Sequence, residues 1–179
     1  MMTDEQLAAL IAITPAPCLY ILCGLAFAGK STLARRMVVW SGGRLALVTL
    51  DAINGERGLG LDGRRIRPAE WDATYAEAYR RITSMLAKGQ SVVFDAASFT
   101  RSQRDELRAL AASSGAATQV IYIATPEAGA RERLLRNREA GARADVRDDD
   151  FAHVVENFEP PGPDESPLHY DGTKQTPFL

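Results

Sequence analysis

Cysteine and histidine are scarce, which narrows the chemistry that this chain can carry. Only two residues of each type occur among the 179 residues. Cys18 and Cys23 lie an odd number of positions apart on one predicted strand, so we expect core thiols on opposite faces of a sheet rather than a disulfide. His153 and His169 have no cysteine or histidine partner at metal-ligand spacing, so neither is given a role. This cysteine usage predicts a reducing, cytoplasmic setting.

The sequence also lacks an excess of positive charge and any long apolar run. Lysine and arginine total 21 against 23 acidic residues, which gives a net charge of −2. This balance argues against binding nucleic acid through bulk electrostatics, although a local basic groove stays open. No run of about eighteen apolar residues occurs, so no membrane-spanning segment is expected. The first residues, Met1–Gln6, are acidic rather than basic, and a secretory signal is not expected.

The sequence does contain a glycine-framed run, Gly24–Ser31, that fits the phosphate-cradling P-loop pattern between an apolar strand and a helix. The two glycines allow a tight turn whose N–H groups converge on a phosphate, and the helix adds its N-terminal dipole. Lys30 would reach the terminal phosphates, and the Ser31 hydroxyl would ligate Mg²⁺. The alternative is a glycine-rich turn with an incidental lysine. The predicted nucleotide-binding residues are Gly24, Leu25, Ala26, Phe27, Ala28, Gly29, Lys30, Ser31 and Thr32.

Strands alternate with helices along the chain, and each strand is a continuous apolar run. The predicted strands are Cys18–Cys23, Leu45–Leu50, Ser91–Phe94 and Gln119–Ile123. The predicted helices start at Thr3, Lys30, Pro68, Thr100, Thr125 and Asp148 and end near Ile13, Trp40, Gly89, Ser113, Arg138 and Phe158. This alternation predicts one α/β domain over residues 1–179, with a mostly parallel sheet covered by helices on both faces. The core is expected over about 18–160, and the tail from Pro160 is expected as a surface strap, with Thr176–Leu179 docking as an edge strand.

Two aspartates, Asp51 and Asp95, stand at the carboxyl ends of predicted strands. In open α/β sheets ligands bind at that edge, which is also the side of the P-loop. Asp95 fits the acidic residue that holds Mg²⁺ directly or through water, and its alternative is a helix-capping or turn role. Asp51 could take the proton from an attacking hydroxyl, and its alternative is a cap on the turn after the second strand.

Arginines form a third element, on the helix that follows the fourth strand. They are Arg131, Arg133, Arg136 and Arg138, with Arg143 and Arg147 just after the helix. On a solvated face they would simply pair with Glu127, Glu132 or Glu139. On a mobile lid they would stabilise the charge that phosphoryl transfer spreads over three oxygens, and we choose Arg136 and Arg138 for this clamp.

A glycine- and arginine-rich loop is predicted from Ala52 to Arg67. It follows Asp51 and is longer than a compact fold needs, which indicates a functional or mobile loop and makes it the natural acceptor region. Its arginines either read an anionic substrate or only solubilise the loop; they are Arg57, Arg64, Arg65 and Arg67. Trp71 and Tyr75, on the next helix, are expected to pack in the core rather than to line a pocket.

With these segments in place, the chain resembles the P-loop kinases grouped with the 5′-hydroxyl polynucleotide kinases, chloramphenicol phosphotransferase and zeta toxins. The resemblance covers roughly Leu19 to Pro161. It is most specific at Gly24–Ser31, at Asp95–Arg104, and at Arg136–Arg138 with the downstream Asn157–Pro161. It implies a P-loop NTPase three-layer sandwich with an arginine-rich lid.

The resemblance also implies roles for single residues. In that family the aspartate after the second strand is the general base that deprotonates the acceptor hydroxyl, here Asp51, and lid arginines matching Arg136 and Arg138 contact the nucleotide phosphates. Polynucleotide kinases carry a further arginine shortly after the base, where this chain has Ala52-Ile53-Asn54. We therefore predict an ATP- and Mg²⁺-dependent kinase for a hydroxylated small molecule such as a metabolite or antibiotic. The alternatives are a 5′-hydroxyl nucleic-acid kinase and an ATP-binding or ATP-hydrolysing module.

Overall fold

Five strands form one sheet in the computed structural model, which describes residues 1–60, 65–141 and 145–174. The strands are β1 (Cys18–Cys23), β2 (Leu45–Thr49), β3 (Ser91–Asp95), β4 (Ala117–Ala124) and β5 (Leu168–Asp171). The α-helices are α1 (Asp4–Ile13), α2 (Lys30–Trp40), α3 (Leu50–Glu56), α4 (Pro68–Ala87), α5 (Arg101–Ser113), α6 (Glu127–Ala140) and α7 (Asp148–Glu156). Short 3₁₀ turns cover Pro163–Glu165 and Gly172–Lys174.

The sheet is parallel throughout, with the strand order β2-β3-β1-β4-β5. The first strand therefore lies at the centre, and all carboxyl ends meet at one edge. Each of the two central pairs is in register through buried apolar residues, such as Ile21 opposite Phe94 and Val120. The predicted α/β class with a parallel sheet is confirmed.

Helices cover both faces of the sheet, as expected for a three-layer sandwich. On one face, Leu19, Ile21 and Cys23 pack with buried residues of α3, α4 and α5. On the other face, Cys18, Tyr20 and Leu22 pack with α1 and α2. The two cysteines are free and lie in different core clusters, which confirms that they face opposite sides. No helix in the described ranges is long and apolar enough to cross a membrane.

The prediction of a loop from Ala52 is wrong for its first residues, because α3 begins directly after β2 and continues to Glu56. Thr49 ends the strand and caps the helix, since its hydroxyl accepts a hydrogen bond from Ala52 N at 2.9 Å. Ile53, 1% exposed, anchors the helix in the core. Asn54 and Gly55 favour loops in isolation, but the cap and the buried isoleucine outweigh that local preference.

The tail beyond Pro160 also differs from its prediction. It is not only a surface strap, because β5 adds a strand to the sheet next to β4 and buries Tyr170. The edge strand is Leu168–Asp171, while the predicted Thr176–Leu179 strand lies outside the described residues. A four-residue strand with alternating polarity carries little local signal, and its pairing partner supplies the stability.

Candidate functional site

The P-loop connects the central strand β1 to helix α2, and its glycines occupy positions that other residues would strain. Gly29 is the N-cap of α2 with φ 110°, in the left-handed region. Gly24 has φ 153°, and a Cβ there would lie 2.9 Å from the carbonyl oxygen of Ile123. Both glycines therefore allow the backbone to fold closely around the start of the helix, where unpaired N–H groups bind anions.

Lys30 lies inside this loop and is 8% exposed. Its ammonium donates to the carbonyl oxygen of Gly24 at 2.9 Å and to that of Leu25 at 2.6 Å. A buried lysine is costly unless its charge is compensated, and here main-chain carbonyls contribute to that compensation. The arrangement places a positive charge beside the N-terminus of a helix, which suits the phosphates of a nucleotide.

Phe27 fastens the P-loop to the helices that follow β4. It has φ 60°, and its side chain packs with Ala130, Leu134 and Phe151 in a cluster separate from the two sheet cores. The left-handed conformation costs about 1 kcal/mol for a residue with a Cβ. Burying the phenyl ring stabilises by about 1.5–3 kcal/mol, so the packing outweighs the strain.

Ser31 and Asp95 are the two predicted magnesium ligands. Ser31 is the second residue of α2, and Asp95 ends β3, which pairs directly with β1. The hydroxyl of Thr100, not Asp95, caps helix α5. Within the described ranges no cluster of three His, Cys, Asp or Glu side chains could hold a metal by itself. One hydroxyl and one carboxylate beside a phosphate cradle fit Mg²⁺, which keeps waters and uses phosphate oxygens as ligands.

Asp51 lies in the first turn of α3, two residues beyond the end of β2 rather than at the strand terminus. Its alternative role as a cap is not observed, because Thr49 provides the cap. The carboxylate is exposed and has no hydrogen-bond or ion-pair partner among the described residues. Asp51 is therefore open to a ligand from the solvent side of the carboxyl edge.

The arginines of the predicted acceptor loop are mostly engaged in local contacts. Arg57 donates to the carbonyl oxygen of Glu70 at 2.7 Å and to the hydroxyl of the buried Thr74. Thr74 in turn donates to Asn54 Oδ1 at 2.6 Å, so this hydrogen-bond network joins α3 to α4. Arg67 pairs with Glu70 at 2.8 Å, whereas Arg64 lies outside the described residues.

The predicted lid arginines are held by carboxylates in this structure. Arg136 pairs with Glu132 at 2.6 Å, and the two side chains are 71% and 62% exposed. Such an exposed pair is worth about 0–1 kcal/mol, so Arg136 can leave it easily. Arg138 is more firmly engaged, with Asp145 at 2.9 Å and Asp148 at 3.0 Å. Arg143 lies outside the described residues.

Sequence reasoning missed the α6 arginine that reaches the P-loop, which is Arg133. Its guanidinium donates to the carbonyl oxygens of Phe27 at 3.3 Å, Ala28 at 3.1 Å and Gly172 at 2.6 Å. Thr125 donates to Ala28 O as well, at 2.8 Å. A helical-wheel signal was available, because Arg133 lies on the face of the buried Ala130 and Asn137, whereas Arg136 lies off it.

A cleft of about 270 Å³ opens beside the first residues of the P-loop. Its lining is mixed, with polar and apolar surface in nearly equal amounts: Leu25, Tyr122, Ile123, Thr125, Pro126, Glu127, Val155 and Phe158. Neither a lysine nor an arginine is among these lining residues and Glu127 is acidic, so the cleft does not suit the phosphates of a nucleotide. Asp51 is not part of the lining, and the cleft is therefore separate from the predicted base.

Comparisons with solved structures show the same fold in nucleotide-binding proteins. Chaetomium thermophilum Kti12 in complex with ADP-AlF3 matches with a TM-score of 0.71 at 20% identity, over 86% of this chain and 88% of that one. A gluconokinase from Sinorhizobium meliloti matches with 0.62 at 17% identity, over 90% and 86%. Mycobacterium tuberculosis APS kinase CysC in complex with AMPPNP and APS matches with 0.61 at 18% identity, over 90% and 92%.

The sequence itself gives a family assignment. None of the curated proteins compared with this chain matches it. The AAA_33 family, described as an AAA domain, matches residues 19–161. That range contains the P-loop, Asp51, Asp95 and the arginine-rich helix α6, and it agrees with the P-loop kinase group recognised from the motifs. The chain belongs to the AAA_33 family and has the P-loop NTPase fold shared by the P-loop kinases.

Proposed function

We propose that this protein is an ATP- and Mg²⁺-dependent phosphotransferase that moves the γ-phosphate of ATP to a hydroxyl group of a small molecule, such as a metabolite or an antibiotic. The observation that carries the proposal is the exposed Asp51 carboxylate at the same sheet edge as the P-loop. A protein that only binds nucleotide needs the loop but has no use for an acceptor base. Two strand spacings, about 10 Å, separate the ends of β1 and β2 and leave room for an acceptor.

The nucleotide phosphates bind at Gly24–Thr32 in this proposal. Lys30 turns from the loop carbonyls to the β- and γ-phosphates, and the amides at the start of α2 donate to phosphate oxygens. Binding of ADP-AlF3 by Kti12 and of AMPPNP by CysC, two proteins of the same fold, supports an adenine nucleotide here. ATP is accordingly the donor that we propose.

Mg²⁺ would be held by the Ser31 hydroxyl and by the Asp95 carboxylate, directly or through water. The ion would neutralise negative charge on the phosphates when it is bound. Ser31 and Asp95 come from the two neighbouring elements at the carboxyl edge, so the protein can present both oxygens without a dedicated metal cage.

Asp51 accepts the proton of the attacking hydroxyl, and Arg136, with Arg138 as the second candidate, closes over the transferring group. The weak pairing of Arg136 with Glu132 supports this role, because the side chain loses little when it turns toward the phosphates. Positioning and charge stabilisation supply most of the acceleration in phosphoryl transfer, and the groups proposed here have those functions.

A small acceptor is favoured over a nucleic acid by charge and by sequence. The net charge is −2, and Ala52-Ile53-Asn54 offers no arginine after Asp51 to hold a phosphodiester chain. The described loop arginine closest to Asp51 in sequence, Arg57, is engaged with Glu70 and Thr74. Gluconokinase and APS kinase share the fold, which supports the class of small-molecule kinases without naming the acceptor.

A panel of hydroxylated acceptors incubated with ATP and Mg²⁺ tests the proposal. The panel contains sugars and sugar acids, amino alcohols, hydroxylated antibiotics and an oligonucleotide with a 5′-hydroxyl, and mass spectrometry detects an added phosphate. We expect a small molecule to gain phosphate with the wild-type chain and not with Lys30→Ala. Preferential labelling of the oligonucleotide, or release of inorganic phosphate alone with every acceptor, would contradict the small-molecule assignment.

A further inference from the structure

Two hydrogen-bond donors, Thr125 and Arg133, converge on one peptide of the P-loop, and the backbone of Gly172 lies beside them. The carbonyl oxygen of Ala28 accepts from Thr125 Oγ1 at 2.8 Å and from Arg133 Nη1 at 3.1 Å. The same guanidinium donates through Nη2 to the carbonyl oxygen of Gly172 at 2.6 Å. Thr125 lies between β4 and α6, Arg133 lies on α6, and Gly172 directly follows β5. These hydrogen bonds therefore connect the P-loop to the segment that follows the edge strand β5.

The direction of the Ala28 carbonyl fixes the direction of the next amide. In a trans peptide the C=O and the following N–H point in opposite directions. Holding Ala28 O toward Thr125 and Arg133 therefore aims the N–H of Gly29 to the opposite side, at the N-terminus of α2. A carbonyl that is held by two donors is also kept from turning toward a bound phosphate, which it would repel.

Gly172 fits this arrangement only because it has no side chain. A Cβ there would lie 2.0 Å from Thr125 Oγ1, 2.6 Å from Ala28 O and 2.7 Å from Ile123 Cγ2. Two of these three atoms belong to the contact that holds the loop. The backbone after β5 therefore packs directly against the underside of the P-loop, and any larger residue would push the two apart.

Arg133 also differs from the other arginines of α6 in the kind of group that it contacts. Arg131, Arg136 and Arg138 each pair with a carboxylate. Arg133, in contrast, makes its hydrogen bonds to main-chain carbonyls and pairs with no carboxylate among the described residues. Its positive charge is therefore left to act on anions bound in the adjoining loop.

We propose that Arg133, Thr125 and Gly172 are positioning residues for the nucleotide, because they set the direction of the Ala28–Gly29 peptide. The segment that follows β5 is then part of the nucleotide site. This inference rests on the proposed function, because it requires a nucleotide in the P-loop. The three residues lie next to the Ala28 carbonyl oxygen, on the side of the loop away from the proposed phosphate site, and act through the loop backbone. Their loss weakens nucleotide binding and leaves the acceptor side intact.

Calorimetric titration of the full chain with ADP and with ATP plus Mg²⁺ tests the inference. We expect Gly172→Ala and Arg133→Gln to raise the Kd for nucleotide about tenfold, since a hydrogen bond to a charged group is lost or displaced. Thr125→Val is expected to raise it about threefold, and Thr125→Ser to leave it near wild type, because only serine keeps the hydroxyl. Arg133→Lys is expected to rescue partly, since an ammonium cannot span the same carbonyls in the same way.

The controls separate a local effect from loss of the fold. Gly129→Ala adds a Cβ at an ordinary 3.6 Å contact with Thr125, and Arg80→Gln removes an exposed arginine of α4 that pairs with Glu77. Both are expected to bind nucleotide like wild type. Circular dichroism melting without nucleotide reports folding, and the KM for acceptor reports the other half of the site. A positioning role raises the KM for ATP while the KM for acceptor stays unchanged.

Two different failures can be told apart. If the wild-type chain binds neither ADP nor ATP, the proposed function is wrong, and the inference is wrong with it. If wild type binds nucleotide, and folded Arg133→Gln and Thr125→Val bind it equally well, the inference alone is wrong. These two variants decide the matter even if Gly172→Ala does not fold.

Discussion

The two halves of the sheet's carboxyl edge are built differently. Around β1, β4 and β5 the P-loop is held by buried groups, with Lys30 folded onto loop carbonyls and Ala28 fixed from behind. Around β2 the predicted base, Asp51, is exposed and has no partner among the described residues. Under the proposed function, the rigid half would hold the phosphates in a preorganised geometry, and the exposed half would receive the acceptor.

This contrast separates the part of the molecule proposed to bind the nucleotide from the part proposed to bind the acceptor. The nucleotide half draws its geometry from backbone and from packed side chains, such as Phe27 against Phe151. The other half has an exposed carboxylate on a short helix, α3, joined to α4 through the Arg57–Thr74–Asn54 hydrogen-bond network. Under the proposed function, substitutions in that half are expected to change the acceptor and to leave nucleotide binding unchanged.

In the nucleotide half, the largest expected effect comes from removing the buried lysine. Lys30→Ala is expected to lower phosphoryl transfer by at least about 10²-fold, because the developing phosphate charge loses its buried counter-ion. Nucleotide affinity should fall as well, which calorimetry would measure. Lys88→Ala, at the exposed C-cap of α4, is the matched control and should leave both quantities unchanged. Full transfer by Lys30→Ala would contradict the account of the P-loop.

The next effect concerns Arg136, the arginine proposed to close over the transferring phosphate. Arg136→Ala is expected to lower kcat by about 10²-fold, the range for losing one donor to a developing charge. The Kd for ADP should change little, because Arg136 contacts Glu132 rather than the loop in this structure. Stopped-flow kinetics measures the loss in kcat, and calorimetry measures the Kd for ADP. Arg131→Ala is the control on the same helix. Equal losses in both variants would show that the helix needs its total charge and not a particular arginine.

A third prediction tests the scaffold beside the end of β1 rather than the chemistry, because Arg104 also donates to Cys23 Sγ at 3.7 Å. Arg104 and Glu165 form an ion pair at 2.7 Å with both side chains 0% exposed, joining α5 to the C-terminal segment. Glu165→Gln leaves a buried positive charge without its partner and is expected to lower the free energy of unfolding by about 3 kcal/mol. Asp164→Asn, which removes an exposed pair with Arg101, should cost less than about 1 kcal/mol. Denaturant titration measures the free energy of unfolding of both variants. Equal losses below about 1 kcal/mol would contradict the expectation that the buried pair matters more than the exposed one.

The same pair gives a smaller, pH-dependent effect. Burial acts to raise the pKa of Glu165, but the hydrogen bonds from Arg104 and from Gly162 N outweigh it and hold the pKa below its ordinary value. A lowered pKa in the folded state stabilises the protein above the unfolded pKa, about 4.3, and this contribution is lost as the pH falls through the folded pKa. The difference in stability between wild type and Glu165→Gln should therefore shrink below about pH 4. A constant difference would contradict the assignment.

Local signals were enough to predict most of the fold. The capping boxes at Thr3 and Thr100 and the glycines of the P-loop act within a few residues, so helices α1 and α5 and the phosphate cradle could be placed from sequence alone. The order of the strands depends on contacts between distant segments. The edge strand β5 was missed for that reason, since β4 rather than its own composition stabilises it.

The candidate site was predictable to a similar extent. The P-loop, Asp51 and Asp95 follow from motifs, although α3 moved Asp51 from a strand end into a helix turn. The role of Arg133 could not be read from motif spacing, because its partners are backbone carbonyls far away in sequence. Gly172 was invisible for the same reason, since its lack of a side chain matters only once the tail packs under the loop.

The most direct test of the central claim is a parallel measurement of ATP binding and phosphoryl transfer in Asp51→Asn. Asparagine keeps the shape of the side chain but cannot take a proton, so transfer to an acceptor is expected to fall by about 10²–10⁴-fold. The Kd for ATP should stay within about twofold of wild type, since the P-loop holds the nucleotide from the other half of the edge. Asp72→Asn, an exposed carboxylate on the neighbouring helix, serves as the control. Undiminished transfer by folded Asp51→Asn would contradict the account.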